Sequence, residues 1–239
     1  MMPRIGNGIF GVGDCFELMA RLGDASVDMI LCDLPYGTTQ NKWDSVLPLD
    51  RLWGEYWRVC KGAVVLTAAQ PFTSALVMSQ LDLFRYDWSW NKTAATGHLN
   101  AKRRPMRNHE DVVVFGKTDI PYNPQGLQEY GKMTKRGNNG TNFGESGTEN
   151  LQTHTNYPRS RIEFANDGKI HPTQKPVALF EYLIRTYTNP GDTVLDNTAG
   201  SGTTAIAAEN SGRKWICIER DEEYAAKAME RIRQHVTPA

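Results

Sequence analysis

Apolar positions in the first third of the chain fall into short runs that alternate with stretches of helical spacing. Gly8–Gly13 reads as a strand, Cys15–Leu22 as a helix, Val27–Cys32 as a strand, Leu49–Cys60 as a helix, Ala63–Thr67 as a strand and Pro71–Leu81 as a helix. Strand then helix, repeated, predicts a parallel sheet with helices across its faces. The run Val27-Asp28-Met29-Ile30-Leu31-Cys32 is almost continuously apolar, which is how a strand covered on both faces reads. It leads directly into Asp33-Leu34-Pro35-Tyr36-Gly37.

The last third repeats the pattern. Val177, Phe180, Leu183, Ile184 and Tyr187 recur at helical spacing, Asn189-Pro190-Gly191-Asp192 is a turn, and Thr193-Val194-Leu195-Asp196 is a strand. The turn Gly200-Ser201-Gly202-Thr203-Thr204 opens an Ala-rich helix that ends near Gly212. A strand over Lys214–Glu219 follows, then a helix capped by Asp221 with Tyr224, Ala228 and Ile232 on one face. Residues 117–170 differ, being poor in aliphatic side chains and rich in Gly, Asn, Thr and Ser. They are read as an insertion between two halves of one domain, 1–116 and 171–239. A structureless stretch of that length inside a compact domain is uncommon and usually functional or disordered.

Composition narrows the class. The chain has 239 residues, 40% of them hydrophobic, enough for a sizeable core. The longest apolar runs are too short to span a bilayer and Met1-Met2-Pro3-Arg4 lacks the apolar core of a signal peptide, so a cytoplasmic protein with no membrane contact is expected. The four cysteines are scattered without a C-x-x-C pair, so neither a disulfide framework nor a metal site is expected. Net charge is zero, yet it is uneven: residues 1–84 carry −3, 85–175 carry +5 and 176–239 carry −2. The basic middle is either a solvated face or a phosphate-contacting surface.

Two motifs carry chemistry. Asp196-Asn197-Thr198-Ala199-Gly200-Ser201-Gly202-Thr203-Thr204-Ala205 lies between a strand and a helix, where small residues let a ligand reach backbone N–H groups. Gly200-x-Gly202-x-x-Ala205 also fits the dinucleotide fingerprint, with Glu219 about 20 residues on as a ribose-binding acid. This motif leaves NAD and S-adenosylmethionine open, and a tight strand-to-helix turn explains it too. The second motif, Asp33-Leu34-Pro35-Tyr36, follows a buried strand and so faces the ligand crevice of a parallel sheet. An amine conjugated to a base ring is a poor nucleophile. A carboxylate and a backbone carbonyl that accept its two hydrogens draw it toward tetrahedral geometry and stabilise the charge that develops. Asp33 and the Leu34 carbonyl suit that task, Pro35 stiffens the loop, and Tyr36 offers a face on which a flipped base can stack. A β-turn with a buried aromatic is the alternative for this motif taken alone.

Read in order, Gly13-Asp14, Asp33–Tyr36, Asn108–Phe115, His171-Pro172-Thr173-Gln174-Lys175-Pro176, Asp196–Thr204 and Glu219 make the sequence resemble the β-group amino-DNA methyltransferases. In that family the catalytic tetrapeptide precedes the cofactor glycine motif. The resemblance covers most of the chain outside 117–170. It implies a circularly permuted Rossmann-like α/β fold with a mostly parallel seven-stranded sheet and helices on both faces, the insertion being the target-recognition region. It implies S-adenosylmethionine as cofactor, double-stranded DNA as partner, and allows a homodimer. Catalytic roles go to Asp33, Leu34, Pro35 and Tyr36. Cofactor contacts go to Asp14, Cys15, Asp33, Lys175, Asp196, Thr198, Gly200, Ser201, Gly202, Thr203, Thr204 and Glu219. Among these, Asp14 stands near the adenine or caps a helix, Thr203 and Lys175 are candidates for the methionyl carboxylate, and Glu219 for the ribose hydroxyls. His171 is expected to be structural, since the excess proton of the product can leave to solvent.

Two departures stand out. Leu34 replaces the family's usual first proline, and because only its carbonyl is needed, its side chain is expected to be dispensable. Thr198 replaces a common Phe and removes an aromatic wall beside the cofactor. The leading Asp33 favours adenine N6 over cytosine N4, because cytosine enzymes of this family mostly carry Ser there. Lys102, Arg103, Arg104, Arg107, Lys132, Lys135, Arg136, Arg159 and Arg161 are the expected DNA contacts. An RNA or protein-amide methyltransferase and an NAD-dependent oxidoreductase remain the rival readings, the latter leaving the tetrapeptide unexplained.

Overall fold

A computed structural model describes residues 2–37, 45–117, 119–135, 149–166 and 174–237. In chain order the elements are β1 (Arg4–Ile5), β2 (Gly8–Val12), α1 (Cys15–Met19), β3 (Val27–Asp33), α2 (Leu49–Val59), β4 (Cys60–Ala68), α3 (Phe72–Ser79), β5 (Phe84–Thr96), β6 (Arg107–Phe115), β7 (Gln128–Lys135), β8 (Glu149–Thr155), β9 (Arg161–Glu163), α4 (Val177–Tyr187), β10 (Thr193–Asp196), α5 (Thr203–Asn210), β11 (Lys214–Glu219) and α6 (Glu222–Val236). Two units are compact on their own, 1–123 with 160–239, and Pro124–Arg159.

The larger unit holds one sheet, in the order β1-β2-β11-β10-β3-β4-β6-β5-β9. From β2 to β4 all neighbours are parallel, and β6 is antiparallel to both β4 and β5. Alternation along the strands sorts side chains onto two faces. Met29, Leu31, Val65 and Val194 pack against α4, α5 and α6, whereas Ile30, Cys32, Val64, Leu66 and Leu195 pack against α1, α2 and α3. This double burial is why Val27–Cys32 is apolar at every position but Asp28. Two helix starts are fixed by carboxylates: Asp14 accepts the N–H groups of Phe16 and Glu17, and Asp221 those of Glu223 and Tyr224.

Three expectations are revised. The sheet has nine strands, not seven. The two additions, β1 and β9, lie at its opposite edges and bury a single residue each, Ile5 and Ile162, so neither has a periodicity to detect. Because β9 pairs with β5, residues 161–163 belong to the sheet and not to the insertion. Within the smaller unit, β7 and β8 form an antiparallel hairpin where no element was expected. Both strands are largely exposed and mostly polar, with Tyr130, Met133 and Leu151 as their large apolar side chains, too few to show an alternation. Leu34 is the third case, since its side chain is 3% exposed and packs in the core beneath the loop.

Leu34→Ala therefore opens a cavity, and we expect it to cost about 2–5 kcal/mol of unfolding free energy in a denaturant titration. An unchanged midpoint would show that this side chain is dispensable for the fold.

Candidate active site

Parallel register brings the carboxyl ends of five strands to one edge. Glu219 pairs with Val12, Asp196 with Cys217, Leu195 with Ile30, and Asp33 with Thr67. The glycine turn after β10 and the tetrapeptide after β3 are thus neighbours, at the crevice where open α/β sheets bind ligands.

Asp33 is tightly held. Its Oδ2 accepts from Lys175 Nζ at 2.6 Å, and its Oδ1 from Thr67 Oγ1 at 2.5 Å and Tyr36 OH at 2.8 Å. Lys175 is buried and also faces Glu110 Oε2 at 3.4 Å, while Lys92 pairs with the same Glu110 carboxylate. Burial opposes the Lys175 charge, but the Asp33 and Glu110 carboxylates outweigh it and raise its pKa. The ammonium stays protonated. Tyr36 is kept as a neutral donor, because burial and then the Asp33 and Glu110 charges push its phenol well up. Its ring stacks on Phe72 with centroids 5.3 Å apart. A carboxylate offers about four acceptor positions, so three donors leave Asp33 one for an incoming N–H.

The cofactor loop is built as tightly. Asp196 accepts from Thr204 Oγ1 at 2.5 Å and Thr198 N at 3.0 Å. Thr198 Oγ1 donates to the Asp33 carbonyl at 3.1 Å, joining the two loops. Glu219 Oε2 accepts Gly200 N at 2.8 Å and Oε1 accepts Asp221 N at 2.9 Å. Gly200 and Gly202 take φ of +50° and +76°, conformations open to glycine, and a Cβ on Gly202 would lie 2.9 Å from Ile232 Cδ1. Arg231, on α6, bonds Ser201 O at 3.0 Å and Thr203 Oγ1 at 3.3 Å.

These loops wall a cavity of about 460 Å³, within the usual range for small-molecule sites. Asn197 and Gln174 line it. Asn197 Nδ2 and Gln174 Oε1 are buried with no hydrogen bond of their own to the described residues. Asp14, Cys15, Asp33, Leu34, Pro35, Lys175, Asp196, Thr198, Gly200, Ser201, Thr203 and Glu219 line the cavity as well. Tyr36, Gly202 and Thr204 do not: Gly202 packs on α6, and Thr204 is spent on Asp196. Lys175, expected at a cofactor carboxylate, has its ammonium committed to Asp33 and Glu110.

Of the expected DNA contacts, Lys102, Arg103, Arg104, Arg107 and Arg161 are exposed on the larger unit, and Lys132 and Arg159 on the smaller one. The side chain of Lys135 and the whole of Arg136 lie outside the described residues, as do His171, Pro172 and Thr173. Sequence reasoning assigned no role to Thr67, Lys92, Glu110, Asn197 or Arg231. The signal that pointed to Glu110 was its place in the motif segment Asn108–Phe115. No group of three His, Cys, Asp or Glu side chains among the described residues is arranged to hold a metal, and none of their helices is long and apolar enough to cross a membrane.

Residues 27–230 match the DNA methylase family of the N6/N4 type. The chain is 27% identical to the type II methyltransferase M1.MboII of Moraxella bovis, over 90% of this chain and 92% of that one. It is 28% identical to M.HpaI of Haemophilus parainfluenzae, over 92% and 72%. Among solved structures, M1.HpyAVI in complex with SAM superposes with a TM-score of 0.65 at 25% identity, covering 93% of this chain and 98% of that one. The cytosine-N4-specific PvuII DNA methyltransferase superposes with a TM-score of 0.66 at 19% identity, covering 98% and 95%, a likeness of fold.

Burial lifts the Asp196 carboxyl to about 7, against the opposing hydrogen bonds from Thr204 and Thr198. Its unfolded value is about 4, so the folded state holds the proton more tightly and the group's contribution to stability falls as pH rises from about 4 to 7. Denaturant unfolding of wild type and Asp196→Asn should show the wild type losing stability relative to the variant between pH 5 and 8. Parallel curves would contradict the assignment.

Proposed function

Because the chain belongs to the N6/N4 DNA methylase family, we propose that it transfers a methyl group from S-adenosylmethionine to the exocyclic amine of a base in double-stranded DNA, with adenine N6 as the acceptor. The observation that carries this reading is the Asp33 carboxylate, held by three donors at the sheet edge, with the Asp33 backbone carbonyl bonded by Thr198 of the loop that walls the cavity.

The cavity suits the cofactor in size. Glu219 and Asp14 would hold the nucleoside end and the Gly200–Thr203 turn the amino-acid end. Bound there, S-adenosylmethionine supplies a sulfonium-activated methyl group. Asp33 accepts one amine hydrogen at its remaining position and the Leu34 carbonyl accepts the other, so the lone pair is no longer spread into the ring. Asp33 also opposes the positive charge that forms on nitrogen, and Lys175 keeps the carboxylate oriented. The surplus proton leaves to solvent, so no strong base is required. Adenine is favoured because position 33 is an Asp, as the family resemblance implies.

Incubation with unmethylated DNA and labelled cofactor, followed by mapping of modified bases, tests this reading. N6-methyladenine at a short fixed sequence is expected. N4-methylcytosine alone would overturn the choice of base, and label in RNA or protein alone would overturn the choice of substrate.

Lys175→Met removes the cation that holds Asp33 Oδ2, so the carboxylate loses its fixed orientation. The single-turnover rate of methyl transfer should fall about tenfold or more, with cofactor affinity near that of wild type. An unchanged rate would show that Lys175 does not position Asp33.

A further inference from the structure

The hairpin of β5 and β6 runs past the edge that carries Asp33. Asp33 is level with Thr67, and Thr67 with Val112. From Val112, β6 extends back through Asp111, Glu110, His109 and Asn108 to Arg107, where it still pairs with Thr96 of β5. At about 3.3 Å per residue, those five steps carry the hairpin roughly 15 Å beyond the level of Asp33.

Its far end is an ordered tip. Gly97 turns the chain with φ of +96° into a short 3-10 turn over His98–Asn100. Four backbone bonds fix it: Asn100 N to Gly97 O at 3.0 Å, Ala101 N to His98 O at 3.1 Å, and the N–H groups of Arg103 and Arg104 to Asn100 O at 2.9 and 3.0 Å. Leu99 stands on this turn at 102% relative exposure, uncovered by any of the described residues. Lys102, Arg103, Arg104 and Arg107 follow within eight residues, all exposed, and Arg107 is braced by a bond to Gln70 O at 3.2 Å.

An apolar side chain held out on a rigid turn and backed by four cations matches the chemistry of a nucleic-acid duplex. Cations meet phosphates at the rim, and an apolar side chain enters the stacked bases within. The projection also exceeds the depth of a groove, about 7.5–8.5 Å. A tip of this length reaches the base stack while Asp33 stays outside it, so a base treated at Asp33 must leave the helix. We propose that Leu99 is a wedge that enters the stack beside the target base and holds the duplex open, with Lys102, Arg103, Arg104 and Arg107 on the flanking phosphates. This rests on the reading of double-stranded DNA as substrate.

The test uses a duplex carrying the mapped site, with the target base either paired normally or opposite a mismatch, which lowers the cost of extrusion. Leu99→Ala, an exposed change that should leave the melting temperature and cofactor binding intact, is expected to lower kcat/KM on the paired duplex by about tenfold or more. On the mismatched duplex it should return to within about threefold of wild type. Equal activity of variant and wild type on the paired duplex, or an equal loss on both duplexes, overturns the wedge. A wild type that methylates no DNA overturns the substrate reading, and the wedge with it.

Discussion

The Lys175 ammonium is the constraint on which the site depends. It is buried between two carboxylates, Asp33 at 2.6 Å and Glu110 at 3.4 Å; among the described residues it is the cation paired with Asp33, whereas Glu110 also pairs with Lys92. A buried pair of this kind adds little net stability, but loss of one member leaves a charge stranded. The interaction therefore acts chiefly on geometry. Lys175 lies just ahead of α4, Asp33 ends β3 and Glu110 sits in β6, so one cation joins three segments far apart in the chain. Thr67 and Tyr36 complete the arrangement by fixing the other Asp33 oxygen.

Thr198 extends the same logic to the cofactor loop. At the position where the family commonly has Phe, the Thr198 hydroxyl bonds the Asp33 carbonyl, and the Thr198 N–H bonds Asp196. The loop that walls the cavity and the loop that presents the carboxylate are thereby tied through one residue. The Asp33 charge adds to the burial that lifts Asp196.

Much of this was legible in the sequence because the informative features are local. Val27–Cys32 and Thr193–Asp196 announce central strands by apolar continuity, Asp14 and Asp221 announce helix starts, and Gly200 and Gly202 mark a turn that needs positive φ. What could not be read depends on contacts distant in the chain. Ile5 and Ile162 each bury one side chain on an edge strand too short to show a period. The β7–β8 hairpin has little apolar alternation because little of it is buried. Lys175 was legible as a member of a motif but not in its role, since the partnership with Glu110 arises only when β6 returns antiparallel beside β4. Leu34 misled for a related reason: a side chain with no chemical task can still be packing against the core.

The account turns on the negative charge of Asp33. The most direct measurement is the single-turnover rate of methyl transfer by Asp33→Asn, with cofactor affinity measured in parallel by titration. The amide keeps an acceptor oxygen and nearly the same shape but loses the charge. We expect the rate to fall about 100-fold or more while cofactor affinity stays near that of wild type. A rate close to wild type would contradict the assignment of Asp33 as the group that draws the amine toward reaction.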